Sequence, residues 1–230
     1  MGEALAEAGA SLVLASRKLE TVQAAADELN RSGYRALAMR LDVSNPDDID
    51  AVVDATRRQW GRIDILINNS GATWGAPALE MPLEAWLKVM RVNVDGTFLM
   101  SQRAARVMRE LGGGRIINIA SVAGLMGTDP QTMDAVGYST SKGAIIAMTR
   151  DLAFKWAPYN IRVNAIAPGF IPTKMSQRLI EHHGDLIRTG IPLRRFGTTD
   201  DVKGAALLLA SRASDYMTGA VLTVDGGVSA

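Results

Sequence analysis

Arg35-Ala-Leu-Ala-Met-Arg-Leu41, then Pro46-Asp-Asp48 opening a run to Trp60, then Ile63-Asp-Ile-Leu-Ile67, is the stretch that decides the fold. Its first and last pieces are short apolar runs of strand length, too short for helices of ordinary size. Pro46 suits a first helical turn, where its missing N–H is not needed, and the acids beside it face the positive end of the helix dipole. A strand, a helix of ten or more residues and a second strand imply two parallel strands joined by a helical crossover.

The same alternation extends in both directions. Upstream, residues 1–8 have helical composition and Gly9 is a stop. Ser11-Leu-Val-Leu-Ala-Ser16 reads as a buried strand, and an amphipathic helix follows Arg17-Lys18 to about Asn30, with Gly33 ending it. Downstream, a loop rich in Gly and Ala (68–77) leads to a helix over about 82–111, bent near Asn93 to Gly96 and ended by Gly112-Gly113-Gly114. A strand at 115–120, a helix carrying Tyr138, a strand at 161–165, a mixed segment to about Gly197, a helix at 199–211 and a strand at 220–224 complete the pattern. No repeat or linker interrupts it. The expectation is one α/β domain over 1–230: a Rossmann-like doubly wound parallel sheet in three layers.

Composition narrows the function classes. A formal charge of +1 gives no electrostatic reason for a nucleic-acid or membrane partner. With no cysteine, disulfides, thiol nucleophiles and thiolate metal sites are excluded. No apolar run approaches the ~20 residues that span a bilayer. The acidic amino terminus is unlike a signal peptide, and a cytoplasmic location is expected.

In doubly wound sheets ligands bind beyond the carboxyl ends of the strands. Those ends are Ser16-Arg17, Asp42-Val43, Asn68-Asn69-Ser70-Gly71, Ser121 and Ala167-Pro168-Gly169, each a polar or flexible stop on an apolar run. Chemistry concentrates in Gly137-Tyr138-Ser139-Thr140-Ser141-Lys142. On a helix, Tyr138 and Lys142 share a face. A cation there favours the phenolate and lowers a pKa that is ordinarily about 10, so Tyr138 can exchange a proton with a carbonyl or alcohol. His182-His183 diverge on a helix and have no third ligand nearby, so they read as a solvated face and no metal is expected. Arg194-Arg195 reads as a surface turn or subunit contact.

With these motifs collected, the chain resembles the short-chain dehydrogenase/reductase family over nearly its whole length. The carriers are Asn68-Asn69-Ser70-Gly71, Asn93, Ser121, Tyr138 with Lys142, Pro168-Gly169 and Asp225-Gly226-Gly227. The resemblance implies a nicotinamide cofactor and a catalytic group of Asn93, Ser121, Tyr138 and Lys142. Ser121 would fix the substrate oxygen, Lys142 would also bond the nicotinamide ribose, and Asn93 would hold a water linking Lys142 to solvent. Asp42 would accept from the adenine amino group, with Val43 packing on the ring. Asn69, Ser70 and Gly71 would border the cofactor, and Pro168, Gly169, Ile171 and Thr173 would touch the nicotinamide. Where the family uses NAD, an acid usually stands at the position of Ser16-Arg17; a guanidinium instead suits a 2′-phosphate, so NADP(H) is expected over NAD(H).

Two departures matter. The family opens with a strand and a glycine-rich turn that meets the cofactor pyrophosphate at a helix amino terminus, and this sequence contains neither. The reading is a truncated sequence or misplaced start, and loss of a central strand should cost both core and phosphate site. Ser121 and Tyr138 stand seventeen residues apart, a few more than most members show, so 124–136 forms a longer loop over the reacting carbon. Basic residues that hold an acidic carrier protein in 3-oxoacyl-carrier-protein reductases look replaced by Gly112 and Tyr159, and the chain looks closer to gluconate 5-dehydrogenases. The expected function is interconversion of a secondary alcohol and a ketone on a sugar acid, polyol or 3-oxoacyl thioester, in a homotetramer or homodimer. The competing expectation is a catalytically silent, cofactor-free partner subunit.

Overall fold

The computed structural model describes residues 1–173 and 176–230, without the side chain of Arg178. The elements are α1 (Gly2–Glu7), β1 (Leu12–Ser16), α2 (Leu19–Arg31), β2 (Ala36–Arg40), α3 (Pro46–Trp60), β3 (Ile65–Asn68), α4 (Leu83–Met90), α5 (Gly96–Glu110), β4 (Gly114–Ile119), α6 (Val136–Trp156), β5 (Ile161–Pro168), α7 (Gln177–Gly190), α8 (Lys203–Ala210) and β6 (Val221–Val224).

Local chemistry explains the boundaries. Asn45 accepts from the Asp47 amide at 3.1 Å and caps α3, Pro46 fills its first turn, and Gly61 ends it with φ 74°. The expected bend between α4 and α5 is a π-turn over Arg91–Asp95, closed by the Gly96 amide bonding to the Arg91 carbonyl. Gly96 itself is required by packing: a β-carbon there would lie 2.8 Å from Val43 Cγ2. Where the sequence suggested only a mixed segment, the structure has α7, kinked at His183 with φ −129°.

All strand pairs are parallel, but they form two sheets, β1-β2 and β3-β4-β5-β6. Among the described residues, no strand pairs with the second edge of β1 or of β3. This is the place where the resemblance puts a central strand, and the sheet is interrupted there. On one face of β4 and β5, Ile116 and Val163 pack against Met108 and Ala104 of α5 and Leu152 and Ala153 of α6. On the other, Ile117 and Ile166 pack against Ala206 and Leu209 of α8. These are the three layers, and the carboxyl ends of β4 and β5 carry the candidate site.

Candidate active site

Tyr138 and Lys142 stand on one face of α6, with the Lys142 ammonium 5.5 Å from the centroid of the Tyr138 ring. Ser121 follows β4, is buried, and caps the short turn Val122–Gly124 by accepting from the Ala123 amide at 3.2 Å. Its hydroxyl neighbours the Tyr138 phenol and favours the phenolate. Lys142 is only 4% exposed and donates to the Ile119 carbonyl at 2.6 Å, so the last residue of β4 anchors the cation of α6. Gly124 makes this approach possible. A β-carbon at Gly124 would lie 2.5 Å from the Lys142 carbonyl carbon and 2.6 Å from the Gly143 nitrogen, inside any real contact distance. Sequence reasoning missed Gly124; the signal available was a glycine one turn after Ser121 and another, Gly143, directly after Lys142.

The electrostatics differ from the expectation. Burial pushes the Tyr138 phenol above its ordinary pKa, opposed only by the Ser121 hydroxyl. Burial also brings the Lys142 ammonium down to about 8. The proposed lowering of Tyr138 by Lys142 is therefore corrected: the ammonium is turned to the Ile119 carbonyl and lies by the ring, and desolvation of the phenolate outweighs it. The arrangement holds a protonated phenol beside a serine hydroxyl, which is a proton donor facing an acceptor site.

Asn93, fully buried in the π-turn, accepts from the Ala72 amide at 2.7 Å and donates to the Ala72 carbonyl at 2.9 Å and to Ser141 Oγ at 2.8 Å. Ser141 Oγ donates in turn to the Tyr138 carbonyl at 2.7 Å. Both amide hydrogens of Asn93 are thus engaged, and its side chain braces the 71–72 loop against α6. A second buried chain runs from Asn68 to Asn118 at 2.9 Å, and from Asn118 to Thr149 of α6 at 2.9 Å, tying β3 to β4 and α6.

The residues assigned to a cofactor lie at the expected strand ends. Ser16 ends β1 and donates to the Lys18 carbonyl at 2.9 Å, and Arg17 is exposed beside it. Hydrogen bonds from the Ser44 hydroxyl and amide hold the Asp42 carboxyl below its ordinary pKa; burial opposes them, and the Arg17 and Arg40 charges add to the lowering. Val43 is turned into the core against Gly96, which corrects its expected place on an adenine ring: it is 8% exposed. Asn69 and Ser70 are exposed. Beside them, a β-carbon at Gly71 would come within 3.9 Å of Lys142 Nζ and 3.7 Å of Asn93 Oδ1. Pro168 ends β5, and Gly169 is pressed on Asp225, where a β-carbon would lie 2.8 Å from Asp225 Cα. Ile171 packs on Gly197, and the Thr173 amide donates to Ser176 Oγ at 2.9 Å. At these strand ends stand the Asp42 carboxylate, an acceptor, and the exposed Arg17 guanidinium. Nothing among the described residues repeats a glycine-rich phosphate turn.

No group of three or more metal-ligating side chains occurs among the described residues, and the His182 and His183 rings are 6.3 Å apart and tilted. Arg194 sits in a left-handed turn with φ 56°, and Arg195 pairs with Asp201 at 2.7 Å. No described helix is long and apolar enough to cross a membrane.

A family model described as enoyl-(acyl carrier protein) reductase matches residues 1–229. The chain is 40% identical to an NAD-dependent glycerol dehydrogenase of Listeria innocua, over 99% of this chain and 87% of that protein. It is 38% identical to a 3-oxoacyl-acyl-carrier-protein reductase of Aquifex aeolicus, over 99% and 91%. A solved gluconate 5-dehydrogenase of Burkholderia cenocepacia, in complex with NADP and tartrate, superposes with a TM-score of 0.92 at 36% identity, over 98% of this chain and 88% of that one. Motifs, strand ends and overall superposition converge, and the chain belongs to the short-chain dehydrogenase/reductase family, oxidoreductases that act on CH–OH groups with NAD(P).

Proposed function

We propose that the protein interconverts a secondary alcohol and a ketone using NADP(H), on a sugar acid or polyol, or else a 3-oxoacyl thioester. The observation that carries this reading is the buried Lys142 ammonium 5.5 Å from the Tyr138 ring, with the Ser121 hydroxyl beside that phenol. In the direction of reduction, Ser121 donates to the carbonyl oxygen and holds it against Tyr138 Oη, which gives up its proton as the oxygen gains charge. The nicotinamide, when bound, supplies the hydride to the carbonyl carbon. Lys142 and Asn93 act through position: one places a cation beside the phenol, the other locks α6 to the loop carrying Gly71. In oxidation the same groups run in reverse, Tyr138 accepting the alcohol proton.

The named relatives support polyols, sugar acids and 3-oxoacyl thioesters alike. Residues 116–141, which end β4 and begin α6, contain no Lys or Arg and include Asp129 and Asp134. This loop is joined to the 71–77 loop through the Ala76 amide and the Asp134 carbonyl at 3.0 Å. An acidic mouth favours a polyol or sugar over an acidic carrier protein. Arg17 supports NADP(H), since no carboxylate stands beside Ser16 to repel a 2′-phosphate.

A second reading is a partner subunit that binds no nucleotide. Titrating NADPH and following its fluorescence separates the two, because a silent subunit gives no saturable signal. Turnover of gluconate, 5-ketogluconate, glycerol and an acetoacetyl thioester then ranks the substrates. Arg17→Ala is expected to raise the KM for NADPH about tenfold while leaving that for NADH unchanged. Equal changes for both would remove Arg17 from phosphate recognition.

A further inference from the structure

The amino-terminal edge of the larger sheet, opposite the catalytic group, carries an unusual charge arrangement. Arg115 of β4 and Arg162 of β5 are register partners, two guanidinium groups side by side on adjacent parallel strands. Like charges placed so are destabilising unless an anion lies between them. One carboxylate serves both: Asp215 pairs with Arg115 and stands 3.7 Å from Arg162 Nη2. The Asp215 carbonyl takes Arg162 Nε at 2.7 Å, and Asn160 Oδ1 takes Nη1 at 3.0 Å.

These groups open onto a cleft of about 280 Å³, whose lining includes four arginines and only two aspartates. Arg62 is matched by Asp64 at 2.6 Å, but the fourth cation, Arg212, is exposed and its side chain has no partner among the described residues. Arg115 Nε is buried without an acceptor. Each guanidinium offers five donors, so the donors exceed the acceptors that the cleft provides. The floor is built rigidly. Gly113 has φ 128°, and a β-carbon there would lie 2.3 Å from the Asn160 carbonyl oxygen, while Asn160 Nδ2 donates to the Gly112 carbonyl at 2.8 Å.

We infer that this cleft is a binding site for a small oxyanion, a phosphate-bearing or polycarboxylate metabolite, separate from the catalytic site. A phosphate or carboxylate placed there accepts from Arg212 and from the spare donors of Arg115 and Arg62, and neutralises the excess charge that Asp215 leaves. The site stands at the start of β4, whose far end leads into Ser121. Six residues of strand separate them, about 20 Å. Bound anion would tighten β4 against β5 and the segment bearing Asp215.

Inorganic phosphate is the probe, with the melting temperature of the purified protein as the readout against chloride at equal ionic strength. A saturable stabilisation is expected, since a ligand of the folded state alone shifts the equilibrium by mass action. Arg212→Ala should weaken the apparent affinity at least tenfold; its exposed, unpartnered side chain makes folding insensitive to the change. Arg17→Ala, at the opposite edge, should leave the response intact. The inference is overturned if phosphate gives no saturable shift, if Arg212→Ala responds like the parent protein, or if the response disappears in Arg17→Ala. A second measurement compares phosphate with tricarboxylic citrate; preference for either names the source of the oxyanion.

Discussion

The two halves of the interrupted sheet are built from similar sequence but end up differently. In β4 and β5, Ile116, Ile117, Val163, Ala165 and Ile166 have no exposed surface. In β1 only Leu12 is buried, and no residue of β2 is, although both strands are as apolar as their counterparts and flanked by helices. The difference lies in neighbours. β4 and β5 are each hydrogen-bonded on both sides, whereas β1 pairs only with β2. A strand reaches full burial only when both edges and both faces are covered. The lesson is that the catalytic group hangs on the half that is complete, while Arg17 and Asp42 hang on or near the half that is not.

The largest expected effect probes the complete half. Tyr138→Phe removes the proton donor without changing packing, and should lower turnover by about 10² to 10⁴ with NADPH affinity near normal. Unchanged turnover in steady-state kinetics would detach the chemistry from this half of the sheet.

Stability should divide along the same line. Ile117→Ala, in a fully enclosed site, is expected to cost about 3 to 4 kcal/mol in urea unfolding. Leu14→Ala, in partly exposed β1, should cost about 1 to 2 kcal/mol, because less surface is returned to water and water can reach the gap. Equal costs would mean that the two halves are equally packed in solution.

Gly124→Ala sharpens the link between β4 and α6. The added methyl meets backbone atoms of Lys142 and Gly143, which cannot move aside without shifting the helix. A loss of about 1 to 3 kcal/mol is expected, together with a fall in kcat larger than the rise in KM, since Lys142 and Tyr138 would move together. A variant that loses stability but keeps kcat would limit Gly124 to packing.

The smallest effect is a pH limb. The Lys142 ammonium, lowered by burial to about 8, is protonated below that pH and neutral above it. Tyr138, raised by burial, stays protonated through the same range. Reduction should therefore decline as pH rises through about 8, and Lys142→Met should show low activity without that limb. A limb that survives in Lys142→Met belongs to another group.

Much was legible in the chain before any coordinates. The order of strands and helices, the stops at Gly9 and Gly33 and the bend near Asn93 follow from periodicity and turn residues, while the grouping of Ser121 with Tyr138 and Lys142 comes from the family resemblance. These are local signals or consequences of handed connection, and short-range sterics fixes them. Helix α7 is strongly amphipathic, but it lies within a stretch read only as a mixed segment to about Gly197.

What the tertiary structure alone decided is where side chains spend their polar groups and their burial. Packing committed the Asn93 side chain to Ala72 and Ser141. Val43 could have faced a ring, but the bare backbone of Gly96 drew it into the core. Lys142 could have lowered its neighbour's pKa, but enclosure under β4 raised one group and lowered the other. Sequence order determines which residues reach the edge of a sheet; desolvation and hydrogen-bond competition depend on every atom nearby, and those neighbours come from strands and helices far apart in the chain.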